Sequence, residues 1–119
     1  MPARGFRDLI AWQKAMDLVE GVYRATQGWP RDEAYGLTNQ VRRAAVSVPA
    51  NIAEGQGRGS SREFGQFLAI AKGSLGELET HLLIAHRLTC LDEQTAGALI
   101  AQVTEVGRLL HGLRQSLRS

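Results

Sequence analysis

Apolar residues recur at steps of three and four along almost the whole chain, and four runs of this helical period are separated by short polar or glycine-containing breaks. The first run, about residues 8 to 27, carries Leu9, Trp12, Met16, Val19 and Tyr23 on one stripe, with Asp8 placed to cap it and Gly28 to close it. Lys14, Asp17 and Arg24 take the opposite face. The second, about 36 to 56, shows Leu37, Val41, Ala44, Ala45, Val48 and Ile52, and stops in Gly55-Gln56-Gly57-Arg58-Gly59. The third, about 60 to 89, opens on Ser60-Ser61-Arg62-Glu63, the spacing of a capping box. Its stripe is Phe64, Phe67, Leu68, Ala71, Leu75, Leu78, Leu82 and Ala85. The fourth, about 92 to 117, repeats Leu99, Val103, Val106, Leu110, Leu113 and Leu117. No segment has the alternation of a strand, so the pattern predicts an all-α, up-down antiparallel four-helix bundle formed by residues 1–119 as one domain.

Two helices have more small or apolar surface than one core uses. In the second, Val46, Pro49, Ala50 and Ala53 lie away from the Val41 stripe; in the third, Gly65, Ala69, Gly73, Gly76, Thr80 and Ile84 collect on the far side. A lone protomer would place glutamate or lysine there. Val46, Ala50, Ala53, Ala69, Gly73 and Gly76 are therefore candidate contacts between copies of the chain.

Pro49 falls inside the second helix, where it removes a backbone donor and crowds the preceding turn, a cost of about 3 kcal/mol if nothing compensates. A kink is expected there. Ser47 and Asn51 flank it with side chains that can reach the carbonyls left without partners. With Glu54, and with Glu79 near the apolar stripe of the third helix, they are read as a structural polar network.

The chain has 14 basic and 12 acidic residues, a net charge of +2, and only Lys14 and Lys72 among the basic ones are lysine. The rest are arginine, which grips phosphate and carboxylate with a two-pronged fork. Arg42 and Arg43 project from the second helix, and Arg58 and Arg62 flank the glycine turn and the start of the third, making these four the candidate nucleic-acid contacts. Beyond Glu105 the chain is locally basic, with Arg108, His111, Arg114 and Arg118, cations suited to the negative pole of a helix dipole.

Readings as an enzyme find little support. Gly55-x-Gly57-x-Gly59 follows a helix and lacks the lysine and hydroxyl of a phosphate-binding loop. Glu77 and His81 share a helix face, yet His81 and His86 are five apart and diverge, unlike a paired-histidine zinc motif. Cys90 has no evident activating base and suits a small buried position. A single cysteine, no secretory pattern and no apolar run of about 20 residues lead to the expectation of a cytoplasmic protein without a membrane partner, catalytic role, metal or cofactor.

The segments LIAWQKAMDLVEGVY (9 to 23), YGLTNQVRRAAVSVPANIAEGQGR (35 to 58) and FGQFLAIAKGSLGELETHL (64 to 82) resemble the bacterial four-helix bundle proteins encoded within intervening sequences of 23S ribosomal RNA genes. The matched positions include Arg42, Arg43, Pro49, Asn51, Ala53, Glu54 and Gly55, then Gly73, Ser74, Leu75, Glu77, Leu78, Glu79 and Thr80. That resemblance implies a homopentamer around a central channel and RNA as the partner class. It is also to the basic accessory protein of diversity-generating retroelements, which binds nucleic acid and a reverse transcriptase. The resemblance transfers no reaction and no cofactor. The expectation is a non-enzymatic, oligomeric, RNA-associated bundle, the alternative being a protein-interaction scaffold or accessory subunit.

Overall fold

The computed structural model describes residues 5–33 and 36–118. It contains four helices, α1 (Ile10–Thr26), α2 (Leu37–Gln56), α3 (Ser61–Arg87) and α4 (Glu93–Ser116), and no strand among the described residues. Each helix packs on its neighbours in sequence, and α4 closes the ring against α1. The rod is 46 Å long and 24 by 21 Å across, its length set by the 27 residues of α3.

The core follows the stripes of α2, α3 and α4 closely. Val41, Val48, Ile52, Leu68, Leu78, Leu82, Val106 and Leu110 are almost wholly shielded from solvent. Helix α1 departs from its expected face. It buries Ala11, Ala15, Leu18, Val22 and Thr26, whereas Met16 and Tyr23 are exposed and Trp12 and Val19 only half-buried. The buried face is thus turned one position, about 100°, from the stripe drawn through the largest side chains. Small residues win because Ala11 and Ala15 let the backbone of α1 come close to the core, and Trp12 packs edge-on against Phe6 beside it, ring centres 5.2 Å apart. Asp8 is not the cap of α1 either. It lies in a 3-10 turn, Phe6–Asp8, and the helix starts after Leu9 without a side-chain cap.

The starts of α3 and α4 are capped as their chemistry suggests. Ser60 Oγ accepts from the Glu63 N–H at 3.2 Å, which is half of a capping box; the carboxylate of Glu63 accepts from the Ser60 hydroxyl instead of the Ser60 N–H. Asp92 accepts from the Thr95 N–H at 2.7 Å, and this bond holds its carboxyl below the usual aspartate range.

Pro49 does not face outward; it is buried, and α2 continues through it to Gln56. Lacking an N–H, it leaves the Ala45 carbonyl without its usual donor, and one turn on Asn51 Nδ2 donates to the Ser47 carbonyl at 2.8 Å and to Ser47 Oγ at 3.0 Å. The end of α2 meets the start of α3 at Gly55. A Cβ there would sit 2.5 Å from Phe67 Cβ, so only glycine permits the approach. Gly59 then turns the chain with φ +85°. At the far end of α3, Cys90 N–H bonds back to the Ala85 carbonyl at 2.9 Å across Thr89, whose φ is 61°. That is a glycine-type helix stop built with a β-branched residue.

Candidate nucleic-acid interface

The four arginines singled out from sequence fall into different environments. Arg42 is half-buried and tied to α1: its Nε donates to Thr26 Oγ1 at 2.8 Å, and its guanidinium lies 4.6 Å from the centre of the Tyr23 ring. The Thr26 hydroxyl passes the bond on to the Val22 carbonyl at 2.9 Å. Arg42 is therefore a strap between α1 and α2, and this contact occupies the exposed Tyr23 that the sequence placed in the core.

Arg58 is also engaged within the protomer. It pairs with Glu54 at 3.1 Å, one turn back, and its guanidinium stands 5.0 Å from the Phe67 ring centre. Both partners are about half exposed, so this pair adds little stability but holds the fork in place. Arg43 is exposed beside Gln40, Ala44, Ser47 and Glu77, which together line a groove of about 420 Å³ between α2 and α3.

Arg62 is exposed in the first turn of α3 and lines a cavity of about 340 Å³ with Ser61, Gly65, Gln66 and, from the end of α4, Arg114, Leu117 and Arg118. Arg114 and Arg118 continue into a second cavity of about 170 Å³ with Lys72, His111 and Gln115. Among the described residues, no ion pair engages Arg62, Lys72, Arg114 or Arg118. Sequence reading had assigned Arg114 and Arg118 to the helix dipole alone. The signal that joins them to Arg62 is topological, since antiparallel α3 and α4 bring the start of one beside the end of the other.

The polar network forms around Ser47 and Asn51, with a member the sequence reading left out. Ser47 Oγ lies 2.7 Å from Ser74 Oγ of α3, and Ser74 is buried. The chain Asn51–Ser47–Ser74 thus ties α2 to α3 beside the proline. Glu54 stands apart in its pair with Arg58, and Glu79 is half-buried along a separate groove with Lys72, Gly76 and Thr104 between α3 and α4.

Val46, Ala50, Gly73 and Gly76 are exposed and Ala53 and Ala69 half-buried, and Gly73 and Gly76 have open space where a Cβ would stand. Larger apolar side chains accompany them: Val46 is 42 % exposed, Ile70 51 %, Leu83 50 % and Ile84 40 %. Cys90 is half-buried between α3 and α4. Glu54, Glu77 and His81 do not gather; among the described residues no group of three acid, histidine or cysteine side chains could hold a metal ion, and no helix is long and apolar enough to cross a membrane.

No curated protein matches the chain. A solved structure from Bacteroides thetaiotaomicron VPI-5482, described as a protein of unknown function from the S23 ribosomal protein family, superposes with a TM-score of 0.79 at 20 % identity, over 88 % of this chain and 98 % of that one. The likeness establishes a shared fold. The family model of the 23S rRNA-intervening sequence proteins matches residues 7–112, and the chain, bundle and motifs together, belongs to that family.

Proposed function

We propose that the protein is a non-enzymatic, self-associating helical bundle that associates with RNA by neutralising backbone phosphates. The observation that carries this reading is the set of cations that no ion pair engages among the described residues, exposed Arg43 on α2, and exposed Arg62 and Arg118 with half-buried Arg114 at the junction of α3 and α4. The family's link to intervening sequences of 23S rRNA supplies a candidate ligand. Guanidinium forks suit phosphate better than lysine would, and copies joined side by side would repeat each weak contact, raising the apparent affinity by avidity.

The test is a titration of a structured 23S rRNA fragment at several salt concentrations. Binding whose logarithm falls linearly with the logarithm of salt supports the reading. Binding that is absent at low salt removes it.

A second reading, a scaffold for another protein, is favoured by the exposed apolar residues Ile70, Leu83 and Ile84 on α3. A stable protein complex formed in nuclease-treated extract, with purified protein failing to bind RNA, would select it. A homopentamer is the assembly we propose for the free protein, on family resemblance.

A further inference from the structure

We infer that the junction between the start of α3 and the last turns of α4 is a built cleft for the phosphodiester backbone of RNA, lined by Arg62, Lys72, Arg114 and Arg118. The inference rests on the RNA reading and says where on the molecule that reading acts. Three observations converge on it. The two cavities that share Arg114 and Arg118 are adjacent, and neither is lined by an aspartate or glutamate. The two ion pairs among the described residues each tie an arginine to a glutamate four positions back, Arg24 to Glu20 at 3.3 Å and Arg58 to Glu54 at 3.1 Å. Here no such pairing occurs among the described residues.

The position of Arg62 is the most telling. A helix dipole favours cations at its end, which accounts for Arg114 in the last turn of α4 and Arg118 just beyond it. Arg62 stands at the opposite pole, in the first turn of α3, where the dipole and the free backbone N–H groups disfavour a cation and favour an anion. Packing does not explain it, because the side chain is exposed. A bound phosphate would reconcile all three: it accepts from the first-turn N–H groups and from the Arg62 fork on one side, and from Arg114 and Arg118 on the other. The neighbouring Gly65 leaves open space beside this point, where a Cβ would meet nothing within 4 Å.

The dimensions suit a strand more than a single ion. Arg62 and Lys72 are ten positions apart on one helix, roughly 15 Å at 1.5 Å per residue. Arg114 in the last turn of α4 and Arg118 just past its end line that path from the other side. Several successive phosphates can therefore be met in one cleft. At the other end of the same cleft His111 and Gln115 lie near each other, Nε2 to Nε2 3.4 Å, adding polar groups and no negative charge.

The experiment compares the full chain with the triple variant Arg62→Glu/Arg114→Glu/Arg118→Glu and with the charge-matched control Arg24→Glu/Arg31→Glu/Arg87→Glu at the opposite end of the bundle. The ligand is a fluorescent short oligouridylate, and circular dichroism checks folding. The cleft predicts that the triple variant loses affinity at least about tenfold and that its log–log salt slope shrinks by about 2, three contacts at roughly 0.7 each for a single strand, while the control keeps the slope of the parent. Should the charge reversals disturb folding, the glutamine triple at the same positions carries the same expectation for the slope. Equal losses in the triple variant and the control would overturn the cleft, showing that only net charge matters. A triple variant that binds like the parent also overturns it and leaves the RNA reading standing with a different surface; a parent that does not bind removes both. Polyglutamate displacing the oligouridylate at equal charge concentration would likewise overturn it, reassigning the surface to an acidic protein.

Discussion

Arg42 illustrates how one side chain changes meaning once its neighbours are known. From sequence it is half of a basic pair and a natural phosphate contact. In the fold its Nε donates to a buried threonine hydroxyl, and the guanidinium covers an aromatic ring. Arg42→Ala should therefore lower the stability of the protein by about 1–2 kcal/mol in urea denaturation, from a lost hydrogen bond and a lost cation–aromatic contact, and leave RNA affinity within about twofold of the parent. A variant as stable as the parent but defective in RNA binding would reverse the assignment. Arg43, its neighbour in sequence, carries no such tie and remains exposed. The difference was not legible in the sequence because both rings and hydroxyls that engage Arg42 come from α1, 16 to 19 positions away. Ser74 escaped for the same reason: within α3 it is one polar residue in a glycine-containing stretch, and only its meeting with Ser47 across the helices gives it a role.

At the scale of the helices, periodicity located all four elements and capping chemistry the start of α3, and the stripes of α2, α3 and α4 correspond to the buried faces. Helix α1 shows the limit of that reasoning. A stripe drawn through bulk favours Trp12, Met16 and Tyr23, whereas the structure packs through Ala11 and Ala15, because close approach of backbones shields more surface than protruding rings do. The stop of α3 is another local conflict. Thr89 adopts φ 61°, a left-handed conformation that costs a side-chain-bearing residue about 1–2 kcal/mol and costs glycine almost nothing. Thr89→Gly is expected to raise stability by about 0.5–1 kcal/mol, the relief being partly offset by the greater freedom of glycine in the unfolded chain. Thermal or urea unfolding measures it, and a destabilised variant would show that the Thr89 hydroxyl, which donates to the Leu88 carbonyl at 2.6 Å, matters more than the backbone geometry.

For the molecule as a whole, one core satisfies one side of each helix and leaves apolar groups along the flanks of α2 and α3. Val46 and Ile84 are 42 % and 40 % exposed, alongside the open positions Gly73 and Gly76. Static light scattering of the parent should give a multiple of 13.0 kDa, and Val46→Glu/Ile84→Glu should shift the particle toward 13.0 kDa with its helical content retained. A parent that scatters as a single 13.0 kDa particle at micromolar concentration would remove the assembly from this account. The excess of outer surface was legible from helical spacing; which copies meet, and at what angle, depends on shape and lies beyond any single sequence. The polar surface behaves differently again, because the cations on α4 acquire a companion only when the antiparallel partner is laid beside them.

The clefts and the flanks occupy separate parts of the rod: Arg62, Arg114 and Arg118 meet at the tip where α3 begins, while the greasy patches run down its sides. Copies joined along their sides in the same sense would crowd every such tip onto one rim, with Arg24, Arg31 and Arg87 of each copy on the other. Such a particle would offer a polyanion a ring of repeated clefts around one mouth.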